Sequence, residues 1–372
     1  MINEKRLLNE FIKLSKFDSE SFQELEISKY IYNKLLSLGL EVRIDNAGHI
    51  LNDNPLATGN IYGFLKGNKE GETIILSSHM DTVSPGKNKN PIIDGDIVRS
   101  DGNSVLGSDD LTGIAQILEI LETITERNLR HPDIEVIFFI AEEPYCRGSS
   151  QFDFSNVKGK IAYVLDLDGK VGNVAISAPS IIQFKINIIG KASHAGFEPE
   201  KGISAIKIIS NVISKLNLGR IDEETTLNIG LINGGTGINI IPKDVSIEGE
   251  IRSMNQTKID KLLVEIENIV KEETNKYKAK YEFRYEEKIK AYHINKDEYV
   301  IKRYNEALIS LGYDKAKLIN TFGGSDNNSF NKNGIKGIVI ANAMNDVHTT
   351  HEYFSIKELN KSAKILLKLV TI

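Results

Sequence analysis

The 372-residue chain contains one cysteine, Cys146, and therefore cannot form a disulfide bond within itself. No apolar run reaches the roughly 18 residues that a membrane-spanning helix needs, and the N-terminal segment interleaves charges with apolar residues, unlike a secretory signal peptide. The 46 Lys and Arg residues form no dense basic block and are outnumbered by 51 Asp and Glu. We therefore expect a cytoplasmic protein that binds neither nucleic acid nor membrane.

Glycine and proline are also limited, at 29 and 8 positions. With 41% hydrophobic and 26% charged residues, this composition excludes a collagen-like or broadly disordered chain. At about 150 residues per domain, the length predicts two domains or slightly more. A globular protein with a large core is expected.

Short apolar runs that alternate with helical patterns predict an α/β sheet covered by helices on both faces. Two amphipathic helices open the chain. The next predicted elements are strands at 41–45, 60–67, 73–79, 133–141 and 160–166, and a helix at 110–128. The same pattern returns near the end, with a helix at 299–311, a strand at 337–341 and a helix at 356–370.

The rhythm differs between residues 180 and 291. There the order strand, helix, strand, strand, helix, strand predicts a ferredoxin-like α+β unit. We interpret 180–291 as a domain inserted into a discontinuous domain formed by 1–179 and 292–372.

Candidate ligands follow the predicted strands. His79 and Asp81 come at the end of TIILSSHMD, where alternation along a strand would let Asp81 hold the His79 ring while the ring binds a metal, although such a triplet is also an ordinary surface pair. Glu142 and Glu143 end the apolar run FFIA. Two adjacent carboxylates there repel each other unless a cation or shared proton intervenes, or unless the strand end faces solvent.

Three further places carry similar residues. A glycine-rich turn brings Asp109 and Asp110 to the start of a helix, where Asp110 alone is best explained as a helix N-cap. The segment YVLDLDG offers Asp166 or Asp168, one of which could cap the turn, and NDVHTTHEYF offers two of the seven histidines, His348 and His351. Histidines mixed with carboxylates favour Zn²⁺ over Mg²⁺ or Ca²⁺, and the number of carboxylates suggests two ions.

The order His-x-Asp, Gly-x-Asp-Asp, Glu-Glu, Asp and His-x-x-x-Glu resembles the co-catalytic zinc peptidases that include peptidase T, glutamate carboxypeptidases and aminoacylases. The resemblance covers nearly the whole chain and is greatest to the peptidase T-like branch. It implies a zinc-exopeptidase-like catalytic domain with a mixed sheet, and an inserted lid that mediates dimerisation. It also implies two divalent ions, most often zinc, with cobalt or manganese as possible substitutes.

The resemblance further implies a role for each ligand. His79 and Asp166 would bind one ion, Glu143 and His348 the other, and Asp109 would bridge both. Asp166 is the expected ligand, and Asp168 remains an alternative because the alignment around the turn allows a shift of one or two residues. His348 is chosen over its competitor His351 because the spacing His-x-x-x-Glu ends on Glu352.

Catalysis would use residues outside this ligand set. Glu142 would be the general base, Asp81 the partner of His79, and His194 of ASHAG a lid histidine that stabilises the oxyanion, often in the partner subunit. Arg252 and Asn239 resemble positions that contact substrate, with Arg252 binding a carboxylate.

Two departures from the family pattern affect the substrate pocket more than the metal ligands. Leu111 stands where many relatives carry Lys, and PYCRGSS follows the glutamate pair in place of an Ile-Gly or Gly-rich continuation. Within that segment, Cys146 is either a buried apolar-like residue or a thiol behind the ligands.

The expected reaction is hydrolysis of an amide bond in a short peptide. Deacylation of N-acyl amino acids is an alternative that the same ligands would support. A catalytically silent metal- or peptide-binding scaffold is a third reading, against which the spare glutamate argues, since a structural zinc site needs no carboxylate base.

Overall fold

The structure is a computed structural model that describes residues 1–52 and 54–372. The helices, in chain order, are α1 (Glu4–Leu14), α2 (Leu25–Ser37), α3 (Ala47–Leu51), α4 (Ser108–Arg127), α5 (Arg147–Gln151), α6 (Ala205–Lys215), α7 (Gln256–Tyr277), α8 (Tyr299–Ser310), α9 (Asn327–Lys332) and α10 (Ile356–Thr371). The strands are β1 (Glu41–Ile44), β2 (Ile61–Leu65), β3 (Ile74–His79), β4 (Ile92–Asp94), β5 (Ile97–Arg99), β6 (Ile134–Phe139), β7 (Ile161–Leu167), β8 (Asn173–Ala178), β9 (Ser180–Ile189), β10 (Gly219–Asp222), β11 (Thr225–Gly234), β12 (Asp244–Ser253), β13 (Lys280–Ile289), β14 (Tyr292–His293), β15 (Lys317–Asn320), β16 (Lys336–Ala341), β17 (Met344–Asn345) and β18 (Tyr353–Ser355). No helix in the described part of the chain is both long and apolar enough to cross a bilayer.

The chain divides into two compact units. One comprises Met1–Ala178 and His293–Ile372, and the other comprises Pro179–Tyr292. Each boundary differs by one residue from the bounds expected from the sequence.

The first unit is built on a mixed sheet, which confirms the predicted α/β class. Its strands follow the order β1-β2-β6-β3-β7-β16-β8, and β15 also pairs with β8. The central pairs β6-β3, β3-β7 and β7-β16 are parallel, while β1-β2, β2-β6 and β16-β8 are antiparallel. The parallel strands β3 and β6 are buried at every residue, because both faces of the sheet are covered.

Neighbouring residues of β7 show that helices cover both faces. Ala162 and Val164 pack in one core cluster with Phe330 of α9. Tyr163 lies between them and therefore points to the opposite face, where its hydroxyl donates a hydrogen bond of 2.9 Å to the backbone oxygen of Val300 in α8.

A small sheet in the first unit was not predicted. Its order is β17-β18-β5-β4. These strands have only two or three residues each, too few to show an alternating pattern of burial.

The second unit has the predicted ferredoxin-like arrangement. Its sheet has the order β10-β11-β12-β9-β13 with antiparallel neighbours. Alternate residues of β9, including Ile182, Phe184 and Ile186, are buried in a core shared with residues of α6 and α7. The short strand β10 was not predicted, and it pairs only with Thr225–Leu227 at the start of β11.

Candidate metal centre

The carboxyl ends of the central strands bring polar side chains to one edge of the sheet. β3 ends at His79, Glu142 and Glu143 follow β6, and Asp166 lies near the end of β7. Because β3, β6, β7 and β16 are parallel, these ends lie at the same edge. His348 comes from the loop between β17 and β18, a few residues after β16.

The carboxylate of Asp109 lies between two histidine rings. Asp109 Oδ1 is 3.1 Å from Nε2 of His79, and Asp109 Oδ2 is 3.0 Å from Nε2 of His348. Oδ1 of Asp166 lies 3.7 Å from His79 Nε2, and Oε2 of Glu143 lies 3.0 Å from His348 Nε2. The side chains thus form two groups of possible metal ligands that share Asp109.

The carboxylates of the two groups repel one another, and a bound cation would offset that repulsion. Burial, and then the charge of Asp109, raise the pKa of Glu143 to about 7, and burial raises the pKa of Asp166 to about 6. Glu143 Oε1 is buried without a hydrogen-bond partner in the part of the chain that the structure describes. A bound divalent ion would supply that partner and offset the repulsion, so the donor set fits a metal site.

The neighbouring carboxylates favour the protonated, positively charged form of the histidine ring. Hydrogen bonds to Asp109 and then Glu143 raise the pKa of His348 to about 10. Burial opposes ionisation of Asp109, but its hydrogen bonds with His348 and then His79 lower its pKa. Protons on these rings are the counter-charges that metal binding would replace, so binding should release protons.

Asp81 contacts the glutamate pair as well as the His79 ring that it was expected to hold. It lies beyond the end of β3, so strand alternation does not position it, and His79 Nδ1 contacts its backbone oxygen at 2.9 Å while its carboxylate is 3.4 Å away. The Asp81 carboxylate accepts hydrogen bonds from the backbone N–H groups of Glu142 (2.9 Å) and Glu143 (3.2 Å) and from the Ser21 hydroxyl (2.7 Å). It therefore links the His79 loop to the glutamate pair.

The two adjacent glutamates have different surroundings. Glu143 contacts His348, whereas Glu142 belongs to neither group of possible ligands. Glu142 is buried, and burial, followed by the charge of Asp166, raises its pKa well above the ordinary value. Its Oε1 accepts a hydrogen bond from the thiol of Cys146 at 3.3 Å. Cys146 is thus buried, as expected for an apolar-like residue, and its thiol also makes a polar contact behind the possible ligands.

The residues that competed for the ligand positions lie elsewhere. Asp168 and His351 are exposed and belong to neither group of possible ligands among the described residues. Asp110 Oδ1 accepts a hydrogen bond of 3.3 Å from the N–H of Gly113, as the N-cap interpretation predicts, and a second bond of 2.5 Å from Asn342 Nδ2.

Glu352 holds the loop that carries Asp109. The sequence identified Glu352 only as the last residue of the His-x-x-x-Glu spacing and predicted no role for it. Its Oε2 accepts hydrogen bonds from the N–H groups of Leu106 (2.7 Å) and Gly107 (2.9 Å). Its Oε1 accepts from the N–H of Asp109 (2.9 Å) and the hydroxyl of Ser108 (2.6 Å). These four bonds fix the backbone from which Asp109 reaches both histidines.

Two more buried residues were missed by the sequence analysis. Glu24 Oε1 accepts a hydrogen bond of 3.0 Å from the N–H of Ala141, which precedes Glu142 and has the left-handed φ of 45°. Asn342 Nδ2 donates to the backbone oxygen of Leu165 at 2.7 Å. These partners are 117 and 177 residues apart in the chain, so no local pattern could have identified them.

In the second unit, the structure brings His194 and Asn239 together. The Ala195 N–H donates to the Asn239 backbone oxygen at 3.0 Å, next to a β-bridge between His194 and Ile240. The exposed His194 ring accepts the backbone N–H groups of residues 196 and 197 at Nδ1, at 3.1 and 3.2 Å. Its proton therefore resides on Nε2, which can donate outward.

Arg252 is engaged within the same unit. Its Nε and Nη2 donate to the two carboxylate oxygens of Glu250 at 2.7 and 3.3 Å. This fork-like pairing orients the guanidinium on β12.

Comparisons with known proteins match this architecture. The Peptidase dimerisation domain family matches residues 176–278, and Peptidase family M28 matches residues 60–185. The uncharacterised protein YqjE of Bacillus subtilis (strain 168) is 37% identical over 370 residues, which cover 100% of this chain and 99% of that protein.

Two solved structures are similar over the full length. The aminopeptidase PepT from Bacillus cereus ATCC 10987 has a TM-score of 0.90 and 34% identity, covering 100% of this chain and 98% of that one. A tripeptidase from Staphylococcus aureus subsp. aureus Mu50 has a TM-score of 0.94 and 33% identity with the same coverage.

At the edge of the mixed sheet, two groups of possible metal ligands share an aspartate, and a buried glutamate lies beside them. This arrangement fits a metal-dependent hydrolase. With the full-length similarity, the class is a metallopeptidase. The chain belongs to the M20 family of metallopeptidases, in the branch that resembles peptidase T.

Proposed function

We propose that the protein hydrolyses an amide bond of di- or tripeptides, using two zinc ions or cobalt or manganese in their place. The observation that carries the proposal is the Asp109 carboxylate, whose two oxygens each contact a different histidine. His79 and Asp166 would hold one ion, Glu143 and His348 would hold the other, and Asp109 would bind both. When bound, the two ions would make a water molecule more acidic and polarise the peptide carbonyl.

In this proposal, Glu142 acts first as the general base and then as the general acid. It is buried beside the ligand groups but is committed to neither, so its carboxylate is free to take a proton from the attacking water. The same proton then passes from Glu142 to the nitrogen of the leaving amine, which breaks the C–N bond without releasing a strongly basic amide anion. Asp81 supports this step because it holds the backbone N–H of Glu142.

The second unit supplies substrate contacts in the proposal. His194, with its proton on Nε2, donates to the developing oxyanion. Arg252, oriented by Glu250, binds a substrate carboxylate, and Asn239 contacts the substrate beside His194. The free carboxylate end of a short peptide offers the charged group that Arg252 would bind.

The second unit also supports a homodimer. Beyond the residues that pair with β10, β11 exposes Leu231 and Ile232, at 56% and 57%. An apolar strand at a sheet edge is an expected association surface, and the Peptidase dimerisation domain match covers this strand. We propose that two copies associate through this unit, which acts as a lid on the catalytic unit.

Substrate panels test the reaction directly. Metal-loaded protein should release free amine faster from di- and tripeptides, which keep a free amino end, than from N-acetyl or N-succinyl amino acids, which lack it. Protein with Glu142→Gln, purified in parallel, controls for contaminating peptidases. The reverse preference would favour a deacylase, and no turnover of either class would favour a silent scaffold.

The lid histidine gives a second test. His194→Ala should lower kcat about 100-fold with unchanged metal content, since an oxyanion donor is lost. Substituting the exposed His49 with Ala, far along the chain, should leave kcat unchanged.

Mixing distinguishes action in the same subunit from action across a dimer. If His194 acts in the partner subunit, Glu142→Gln and His194→Ala proteins, each of low activity alone, should together regain activity after subunit exchange. Exchange without regained activity contradicts the arrangement across subunits. Wild-type kcat in His194→Ala contradicts any catalytic role.

A further inference from the structure

The loop after β6 places the chain's one cysteine against Glu142. Cys146 is 3% exposed, and its Sγ lies 3.3 Å from Glu142 Oε1. The Cys146 N–H also donates to the Glu142 backbone oxygen at 2.6 Å, which closes the turn between the two residues. In the described ranges, no other side chain donates a hydrogen bond to the Glu142 carboxylate.

The backbone at this position is unusual for a residue with a side chain. Cys146 has φ 52° and ψ 41°, in the left-handed region where glycine is favoured. A side chain in this backbone conformation is strained, so the conformation persists only where surrounding interactions hold it. Residues of this kind are concentrated at functional sites. The contact with Glu142 is the polar interaction that its side chain makes.

The thiol is held in place and protonated. The hydroxyl of Ser149 donates to the Cys146 backbone oxygen at 3.2 Å and lies 2.9 Å from the hydroxyl of Ser329 in α9. Burial, and then the charge of Glu142, raise the pKa of the Cys146 thiol well above its ordinary value. The side chain is therefore an S–H donor at neutral pH.

We propose that Cys146 is a positioning residue for the general base. Its S–H group donates to Oε1 of Glu142 and fixes the carboxylate plane, which leaves Oε2 to take the proton from water. This deepens the proposed function and rests on the assignment of Glu142 as the base. Nothing covalent happens at the thiol.

The S–H stretching band measures the contact without reference to activity. Because the chain has one cysteine, the infrared band of the metal-loaded protein reports Cys146 alone. We expect the band to move to higher wavenumber in Glu142→Ala, and by less in the isosteric Glu142→Gln, as the carboxylate acceptor is lost or weakened. A band that is identical in all three proteins would overturn the proposal.

Kinetics measure the consequence. Cys146→Ala should lower kcat about 10-fold, as loss of an outer hydrogen bond to an active-site group commonly does, with KM and metal content retained. Cys146→Ser keeps a donor and should restore most of kcat. Ser150→Ala, which removes an exposed hydroxyl from α5, the helix that directly follows Cys146, is the matched control and should behave as wild type.

The outcomes separate the two proposals. Wild-type kcat in Cys146→Ala, or equal losses of kcat in Cys146→Ala and Cys146→Ser, overturns the positioning role. In either case, loss of activity in Glu142→Gln still supports Glu142 as the general base. An active Glu142→Gln overturns the base assignment whatever the thiol does. Loss of metal in Cys146→Ala would also overturn the positioning role, because the defect would then lie at the ligands.

Discussion

Replacing Glu142 by Gln should lower kcat by about 100- to 10,000-fold while the protein keeps its metal ions. The amide has nearly the same size as the carboxylate, but it cannot take the proton from water. Glu142 lies outside both groups of possible ligands, so metal binding should survive the change. Steady-state kinetics on a good tripeptide, with elemental analysis of the same sample, measure both quantities.

Glu143→Gln is the matched comparison, since it makes the same chemical change at the adjacent position. Glu143 Oε2 lies 3.0 Å from His348 Nε2 within a group of possible ligands, so this variant should lose metal first and activity as a consequence. Added metal should recover part of its activity and should not help Glu142→Gln. Identical behaviour of the two variants would show that the division of the pair is wrong.

Asp109→Ala should empty both metal positions rather than one. Wild-type protein saturated with zinc is expected to contain about two ions per chain, because the structure has two groups of three possible ligands each. Asp109 contributes a different oxygen to each group, so its removal leaves two ligands at each position. Metal content should fall below one ion per chain and activity should become undetectable.

Asp168→Ala is a suitable control, because Asp168 is a nearby exposed aspartate that belongs to neither group. It should retain two ions and full activity. Saturated wild-type protein that is fully active with one ion would contradict the two-metal proposal. An Asp109→Ala protein that loses one ion and keeps the other would contradict the shared role of Asp109.

The larger elements of the fold could be predicted because their signals are local. The strand predicted at 73–79 is Ile74–His79, and the helix predicted at 110–128 is Ser108–Arg127. Long apolar runs and helical periodicity are read from neighbouring residues, and both elements have enough of them. The strands of the small sheet were missed because two or three residues carry no period.

The side chains that meet at the sheet edge could also be proposed from sequence, because parallel strands bring their carboxyl ends together. The choice of Asp166 over Asp168 and of His348 over His351 needed the family resemblance. In the structure, the first of each pair lies in a group of possible ligands and the second, among the described residues, lies in neither group. Strand alternation does not place Asp81, since the strand stops at His79, but the Asp81 carboxylate still lies 3.4 Å from His79 Nδ1.

The sequence by itself determined the types of candidate ligand, their order and the strands that present them, since apolar periodicity and residue chemistry are encoded over a few neighbouring positions. The tertiary structure decided how those ligands are held: Glu352 binds the Asp109 backbone across 243 positions, and Cys146 reaches Glu142 through a left-handed turn. Such contacts depend on backbone direction at loops and on buried hydrogen bonds between distant segments. They form only when the whole sheet has brought those segments together and excluded the water that would otherwise satisfy them.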